Sequence, residues 1–318
     1  MGRFILRRCI QIVPTLFFVL LVIFLLMKMI PGDPALVLLG PEASPEDVAR
    51  FRVELGLDRS LPAQFASYVS GVFRGDLGRS LIYRQDVLSL IFERLPVTMT
   101  LSVCALSLAV LSGVPLGIWA SLRHNRFSDL LITTFALTGV SVPIFWVGMM
   151  LIVFFVLTLG WLPSVGLGSW EKGAWDVASH LILPSFALAF QSMGIITRFT
   201  RSSMLEVMRQ DYIRTARSKG LRDRLVLGRH ALRNALVPVV TVVGLQLGHL
   251  LAGAVLTESV FALPGLGKLM VDAIMRRDYL LVQGEVLFIA VLYIFVNLAV
   301  DVIYAFLNPK IRKSYGGA

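Results

Sequence analysis

Residues 264–268, Pro-Gly-Leu-Gly-Lys, are the segment of this sequence that most closely follows a chemical motif, the phosphate-binding loop. That loop needs a glycine five positions before the glycine that precedes its lysine, and a Ser or Thr after the lysine to ligate Mg²⁺. Here Ala262 and Leu269 stand at those two positions. The segment therefore predicts no nucleotide site, and we expect no ATP hydrolysis by this chain itself.

Other residue types also argue against an enzyme. The four histidines are scattered, no His-Glu-x-x-His zinc pattern occurs, and Cys9 and Cys104 both lie in apolar segments. Neither a disulfide framework nor a Cys-based metal site is expected from such cysteines. An intramembrane enzyme would need a paired nucleophile and base, which the sequence does not offer. We predict no catalytic residue and no metal ligand.

Four polar side chains within long apolar segments are the remaining candidates for a function. Gln246 and His249 lie three positions apart, and hence on one face of a helix. Such groups either hydrogen-bond to neighbouring helices or line a path for a solute. Gln191, Gln246 and His249 are therefore candidate pathway-lining residues. Asp301 lies near the end of its segment, which favours a helix–helix contact, and an ion-coupled carrier is the alternative.

The composition requires that membrane helices hold these residues. Of 318 residues, 56% are hydrophobic and 16% charged, and the mean hydropathy is +0.77. A soluble domain would be about 25% charged. Because the apolar runs are long and continuous rather than alternating, they favour helices over a barrel.

The sequence thus predicts an all-α, polytopic membrane protein with a single permease domain over 1–318. Pro143 falls inside the third apolar stretch and predicts a kink or tilt there. Residues 31–96 form an external segment, 97–307 the core of five further spans, and 308–318 a tail. The six predicted transmembrane helices cover residues 9–30, 97–122, 130–159, 181–197, 235–257 and 284–307.

The distribution of positive charge sets the orientation. The net charge of +10 could suggest nucleic acid, but the basic residues flank the apolar runs. Ten Lys or Arg lie in 198–234. The N-terminus, the 123–129 loop and the tail fall on the same side of the predicted membrane, and together these four segments hold eighteen of the 30 Lys and Arg. An excess of Lys and Arg marks the cytoplasmic side. We expect both termini in the cytoplasm.

Two shorter patterns predict local packing. In the external segment, Ser44-Pro45-Glu46-Asp47 is typical of a helix start, and Gly56 of a helix end. A second short helix follows, with an apolar stripe at Leu61, Phe65, Tyr68, Val69, Val72 and Phe73. Small residues four apart, at Gly113 and Gly117 and at Gly244 and Gly248, allow close helix approach, within this bundle or between two bundles.

The basic loop at 198–234 has its own predicted shape. Residues 202–210 extend the fourth span, Asp211 can cap a short helix, and Gly220 can end it. A short helix held away from the membrane by an emerging span suits docking of a partner. Binding of a solvated basic loop to anionic headgroups is the alternative.

At this point the sequence resembles a known family, the permease subunits of binding-protein-dependent ABC importers of the dipeptide/oligopeptide branch. The resemblance runs from end to end and is carried by ordered segments, which are Ile30-Pro-Gly-Asp-Pro34, Gly75-Asp-Leu-Gly78, Asp211–Leu221, His230-Ala-Leu-Arg-Asn-Ala235, Val260–Gly267 and Asn297–Pro309. The family's Glu-Ala-Ala…Gly signature aligns with Arg214-Thr-Ala216 and Gly220. Ala216 and Gly220 agree with it, whereas Arg214 replaces the acid.

The resemblance implies a type I ABC importer permease fold in a bacterial inner membrane, with a second permease chain, two cytoplasmic ATPase subunits and an extracytoplasmic solute-binding protein as partners. ATP and Mg²⁺ would be bound by the ATPase subunits, and no cofactor by this chain. A coupling helix would dock on an ATPase subunit through Asp211, Tyr212, Arg214, Thr215, Ala216, Arg217, Lys219, Gly220 and Leu221. Dipeptides, oligopeptides or glutathione are the expected substrates, and nickel or another small solute is the alternative.

Overall fold

The computed structural model describes residues 2–29, 43–54, 56–80 and 82–307, and its regular structure is helical. The motif at 30–34, the predicted tail and Asn308-Pro309 lie outside the described residues, as does the side chain of Asp301. The main helices are α1 (Gly2–Met29), α2 (Pro45–Glu54), α3 (Leu61–Phe73), α4 (Val87–Leu122), α5 (Phe127–Ser141), α6 (Ile144–Leu151), α7 (Ala174–Met208), α8 (Asp211–Ser218), α9 (Arg233–Val260), α10 (Leu266–Met275) and α11 (Tyr279–Leu307).

Among the described residues, five helical segments are long and apolar enough to cross a membrane. They are Ile10–Met29, Val87–Leu122, Ala174–Met208, Asp223–Val260 and Tyr279–Val300. A sixth crossing is obtained if Phe127–Ser141 and Ile144–Thr158 form one broken span. The apolar runs are thus found as helices, although several helices extend well beyond the predicted bounds because polar residues continue the helical turns outside the apolar core.

The third predicted span is not one helix with a kink. α5 and the segment Ile144–Thr158 meet at an angle of 106°. Proline restricts the residue before it to extended conformations, and Val142 has φ −87° and ψ 131°. α5 therefore ends at Ser141, and α6 restarts after Pro143, whose carbonyl accepts the Trp146 and Val147 amide hydrogens. The interruption predicted at Pro143 is thus present, and it is a full break between two helices rather than a kink within one.

The chain divides into two compact units, and the single permease domain over 1–318 stays a prediction. One unit comprises Met1–Ile5, Leu95–Lys268 and Phe295–Ala318. Its core is formed largely by leucine and alanine side chains from α4, α7 and α9, with Phe261 and Leu263 at one end. The other unit comprises Leu6–Arg94 and Leu269–Ile294.

In the first unit, α7 packs closely on its neighbours through glycines. A β-carbon at Gly117 of α4 would lie 2.6 Å from both the Thr197 carbonyl oxygen and Thr200 Cβ. A β-carbon at Gly139 of α5 would lie 2.8 Å from the Phe190 carbonyl oxygen. The Gly113/Gly117 pair therefore acts within this bundle, and so does Gly244, which faces Val300.

The second unit contains the two predicted external helices. The Ser44 hydroxyl accepts the Asp47 amide hydrogen at 3.1 Å, as expected for a helix start. Within the predicted stripe, Phe65, Tyr68, Val69 and Val72 pack against Leu20, Ile23 and Leu287. Leu61 and Phe73 are exposed instead. The stripe is therefore mainly ordinary packing of α3 on α1 and α11.

Asp278 organises the loop before α4 in the same unit. Its carboxylate is fully buried and accepts hydrogen bonds from the Ser80 hydroxyl at 2.5 Å and from the Ile82 and Leu281 amides, each at 3.2 Å. Gly78 lies against Leu280, and its φ of +86° favours glycine. The Gly75-Asp-Leu-Gly78 segment thus owes its glycines to a tight turn.

The glycine contacts predict opposite effects for two equivalent substitutions. Gly117→Ala places a methyl group against the α7 backbone, and such overpacking costs about 1–3 kcal/mol. Gly228→Ala meets nothing within 4 Å and should stabilise the helical segment Asp223–Val260 by about 0.5–1 kcal/mol, because alanine loses less backbone entropy than glycine. Thermal unfolding of the purified proteins in detergent measures both. An unchanged or raised melting temperature for Gly117→Ala would contradict the close α4–α7 contact.

Candidate functional site

The predicted coupling helix is present as α8, separated from the end of α7 by two residues. Its start differs from the prediction, because Gln210 and not Asp211 occupies the cap position, with ψ 147° and no side-chain cap hydrogen bond. Asp211 is the first helical residue, where its negative charge favours the helix N-terminus. Its carboxylate lies 3.7 Å from Arg214 Nη1, and both side chains are largely exposed.

Gly220 ends α8 as predicted. It has φ +74°, a conformation that glycine adopts without strain. The Gly220 amide donates to the Arg217 carbonyl at 2.9 Å, and the Leu221 amide to the Ala216 carbonyl at 3.4 Å. This pair of hydrogen bonds is the Schellman arrangement that satisfies the last carbonyls of a helix.

One face of α8 is buried against the rest of the first unit. Ile213 is fully buried and Ala216 nearly so, and both belong to a cluster with Met204, Val226, Ala231 and Ala235. At one end, Asn234 Nδ2 donates to the Tyr212 hydroxyl at 2.9 Å. α8 is therefore fixed both to the end of α7 and to the segment that leads into α9.

The opposite face of α8 is open. Eight of the nine residues predicted to dock on a partner are exposed, which are Asp211, Tyr212, Arg214, Thr215, Arg217, Lys219, Gly220 and Leu221. Ala216 is the exception, and its small side chain packs inward. The exposed residues form a mixed polar and basic surface, and their docking role stays a prediction.

An ion pair joins α5 to α7, with its Asp129 carboxylate buried and its Arg201 guanidinium half-buried. Arg201 Nε and Nη2 donate to the two carboxylate oxygens of Asp129 at 2.6 and 2.8 Å. The Asn125 amide donates to the same carboxylate at 3.0 Å, and His124 Nδ1 lies 3.4 Å from it. We call these four residues the Asp129 clamp. It joins α7 to the 123–129 loop, two segments that the charge distribution placed on the same side of the membrane.

The three candidate pathway residues differ in burial and in contacts. Gln246 is buried, and its Oε1 accepts from the Ser192 hydroxyl at 3.0 Å, so its amide links α9 to α7. His249 is exposed, although it lies only three positions away. Gln191 is half-buried at the middle of α7. Of the three residues, Gln246 therefore hydrogen-bonds to a neighbouring helix, which is one of the two roles expected for a polar side chain in an apolar segment.

The Pro-Gly-Leu-Gly-Lys segment has a structural explanation. Glu258 is fully buried, and its carboxylate accepts the Gly267 and Lys268 amide hydrogens at 2.7 and 3.2 Å, at the start of α10. The Thr98 hydroxyl donates to the other oxygen at 2.6 Å. A β-carbon at Gly265 would collide with this carboxylate, and one at Gly267 with the backbone at Val255. Backbone amides that would face phosphate in a nucleotide loop face a carboxylate here.

Sequence reasoning missed these two carboxylate centres as organised sites. Neither Asp129 nor Glu258 is among the residues that the sequence predicts to have a function. The signal available for Asp129 was its place three residues after Arg126, in the first turn of α5. Nothing in the sequence relates it to Arg201, which is 72 positions away.

The Asp129 clamp predicts a large loss of stability when one partner is removed. Asp129→Ala leaves the half-buried Arg201 guanidinium without its carboxylate, and losing hydrogen bonds to a charged group in this way costs about 1.5–3 kcal/mol. Asp211→Ala is the matched control, because its pair with Arg214 is solvent-exposed and such pairs contribute little. Thermal unfolding in detergent compares the two variants. Equal melting temperatures would contradict a structural role for the clamp.

Three comparisons with known proteins agree with this geometry. Residues 113–313 match the family described as "Binding-protein-dependent transport system inner membrane component", and residues 1–102 match its N-terminal companion, "Binding-prot-dependent transport system membrane comp, N-term". The glutathione transport system permease protein GsiC of Salmonella typhimurium is 44% identical over 312 residues, covering 98% of this chain and 99% of the relative.

Other relatives extend the pattern. A putative peptide transport system permease protein of Brucella abortus is 45% identical over 312 residues, again covering 98% of this chain and 99% of the relative. An inward-facing structure of the MetNI methionine ABC transporter superposes with a TM-score of 0.58 at 16% identity, covering 70% of this chain and 97% of that one. At that identity the likeness concerns the fold.

Proposed function

Because the chain belongs to the family of binding-protein-dependent transport system inner membrane components, and is thus a transmembrane subunit of an ABC transporter, we propose that it forms part of the path by which peptides, glutathione among them, enter the cell. The family assignment carries the transport role. The substrate class is supported by relatives similar over nearly their whole length whose names specify glutathione or peptide transport.

The proposed complex has several other parts. A second permease chain completes the path, a solute-binding protein delivers substrate outside, and two ATPase subunits hydrolyse ATP with Mg²⁺ in the cytoplasm. This chain supplies no catalytic residue for hydrolysis, in keeping with the incomplete phosphate-loop pattern at 264–268. A stand-alone carrier would purify alone, whereas this proposal expects ATPase subunits to copurify.

The observation that carries the coupling role is the two-sided construction of α8. Its inner face is held by Ile213 and Ala216 against Met204 of α7, and its outer face is open and charged. An ATPase subunit that moves the outer face would displace α7 as well, because packed interfaces shift between discrete arrangements rather than deform continuously. ATP binding and hydrolysis would thereby switch the path between outward and inward access.

Gly220→Pro tests this coupling. Proline fixes φ near −65° and lacks the amide hydrogen that Gly220 donates to Arg217, so the substitution destroys the end of α8. We expect loss of ATP-driven uptake and of substrate-stimulated ATPase activity in proteoliposomes, with membrane insertion retained.

Gly160→Pro is the matched control for that experiment. Gly160 also has a positive φ, +65°, donates its amide hydrogen to a carbonyl and has open space around it, but it lies far from α8 in the sequence. It should lose local stability and keep coupling. Full uptake by the Gly220→Pro transporter would refute the docking role of α8.

Uptake measurements test the proposed substrate class. The complete transporter in proteoliposomes, with its binding protein and ATP, should accumulate labelled glutathione, a dipeptide or an oligopeptide. An excess of the same unlabelled compound should abolish the signal. Uptake of nickel with no uptake of any of the three peptide classes would disprove the peptide assignment while leaving the transport role in place.

A further inference from the structure

A cleft of about 520 Å³ opens between α5 and α7 within the first unit. Its volume falls in the range typical of sites for small organic ligands. Its lining combines apolar side chains with two hydroxyl groups and two arginines. The residues on which the following argument depends are Thr133, Leu137, Ile195, Arg198, Phe199 and Ser202.

The cleft continues an open face of α7. Gln191, Ile195, Arg198 and Ser202 follow one another at spacings of four, three and four residues, and therefore lie along one side of the helix. All four are half-buried or exposed, whereas most residues between them are buried. This side of α7 thus combines an amide, a cation and a hydroxyl.

Such a face is poorly suited to lipid. Gln191 lies at the midpoint of the Ala174–Met208 segment, and Arg198 lies two turns further along, where the apolar stretch ends and the predicted cytoplasmic loop begins. Polar and ionisable side chains at membrane depth are rare toward hydrocarbon and generally face a bundle interior or a water-filled cavity. The open face of α7 is therefore expected to border an aqueous path at Gln191, with Arg198 at the predicted cytoplasmic end of that path.

The charge of the cleft comes from one residue. Arg201 also borders it, but its guanidinium is paired with both oxygens of Asp129. Within the described part of the chain, no acidic side chain forms an ion pair with Arg198. An arginine in this setting binds a carboxylate well, through parallel charge-assisted hydrogen bonds.

We propose that this cleft is a transit site for substrates that carry a carboxylate, with Arg198 as the residue that binds it. Leu137, Ile195 and Phe199 would contact the apolar parts of the substrate, and Thr133 and Ser202 would donate or accept hydrogen bonds at the rim. This inference rests on the proposed function, and it assigns one determinant of substrate selection to the permease itself rather than to the binding protein.

The test compares a peptide acid with its C-terminal amide in proteoliposomes that contain the complete transporter. Both substrates are used at concentrations that saturate the binding protein. The uptake rate of each variant is divided by the rate of the unsubstituted transporter for the same substrate, so that differences in how the binding protein delivers the two substrates cancel. Arg198→Gln should lower uptake of the acid by about tenfold, the effect of losing a charge-assisted hydrogen bond, and uptake of the amide by less than about twofold. Arg198→Lys should recover part of the preference for the acid.

Arg209→Gln serves as the matched control, because Arg209 is an exposed arginine at the end of α7 and does not border the cleft. It should leave the acid-to-amide ratio unchanged. Two results would overturn the transit site, provided that the unsubstituted transporter takes up both peptides. One is an equal loss of uptake for the acid and the amide in Arg198→Gln, and the other is a loss of uptake that occurs only when anionic lipid is present. Failure of the unsubstituted transporter to take up either peptide would instead overturn the proposed function, and this inference with it.

Discussion

Close backbone contact between α7 and its neighbours is the constraint on which the rest of the first unit depends. Lipid gives helices no hydrophobic reason to associate, so association depends on dispersion contacts and hydrogen bonds between well-fitted surfaces. Gly113 and Gly117 of α4 and Gly139 of α5 bring those helices onto the α7 backbone at positions where a β-carbon would already be crowded. α7 can be 35 residues long and still hold a fixed position for this reason.

Polar contacts link α7 to its neighbouring helices and so connect α8 to the rest of the first unit. The Ser192–Gln246 hydrogen bond joins it to α9, and the Asp129 clamp joins it to the loop before α5. Ten residues beyond Arg201, α8 begins and packs back on Met204. A force applied to α8 would therefore act on a helix already bonded to three neighbours, and would move a packed assembly rather than one loop.

The sequence predicted those parts of the structure that depend on local rules. The apolar runs became helices, Ser44 starts α2, and Gly220 ends α8, since each depends on residues within a few positions. The 106° break at Pro143 was underestimated, because a local rule shows that a helix must be interrupted but tertiary packing decides the angle. The Asp129–Arg201 and Thr98–Glu258 contacts join residues 72 and 160 positions apart, and no local pattern contains them.

The partial match of α8 to the family signature can be explained by which positions the local fold constrains. The two positions that agree are fixed by this chain's own fold, since Ala216 must be small to pack inward and Gly220 must adopt a positive φ. Arg214, which departs from the signature, is exposed and forms an ion pair with the exposed Asp211. The contacts of Arg214 do not require an acid at that position. Under the docking of α8 proposed above, a basic residue there would suit an ATPase surface of acidic or neutral character, since like charges would repel across the interface.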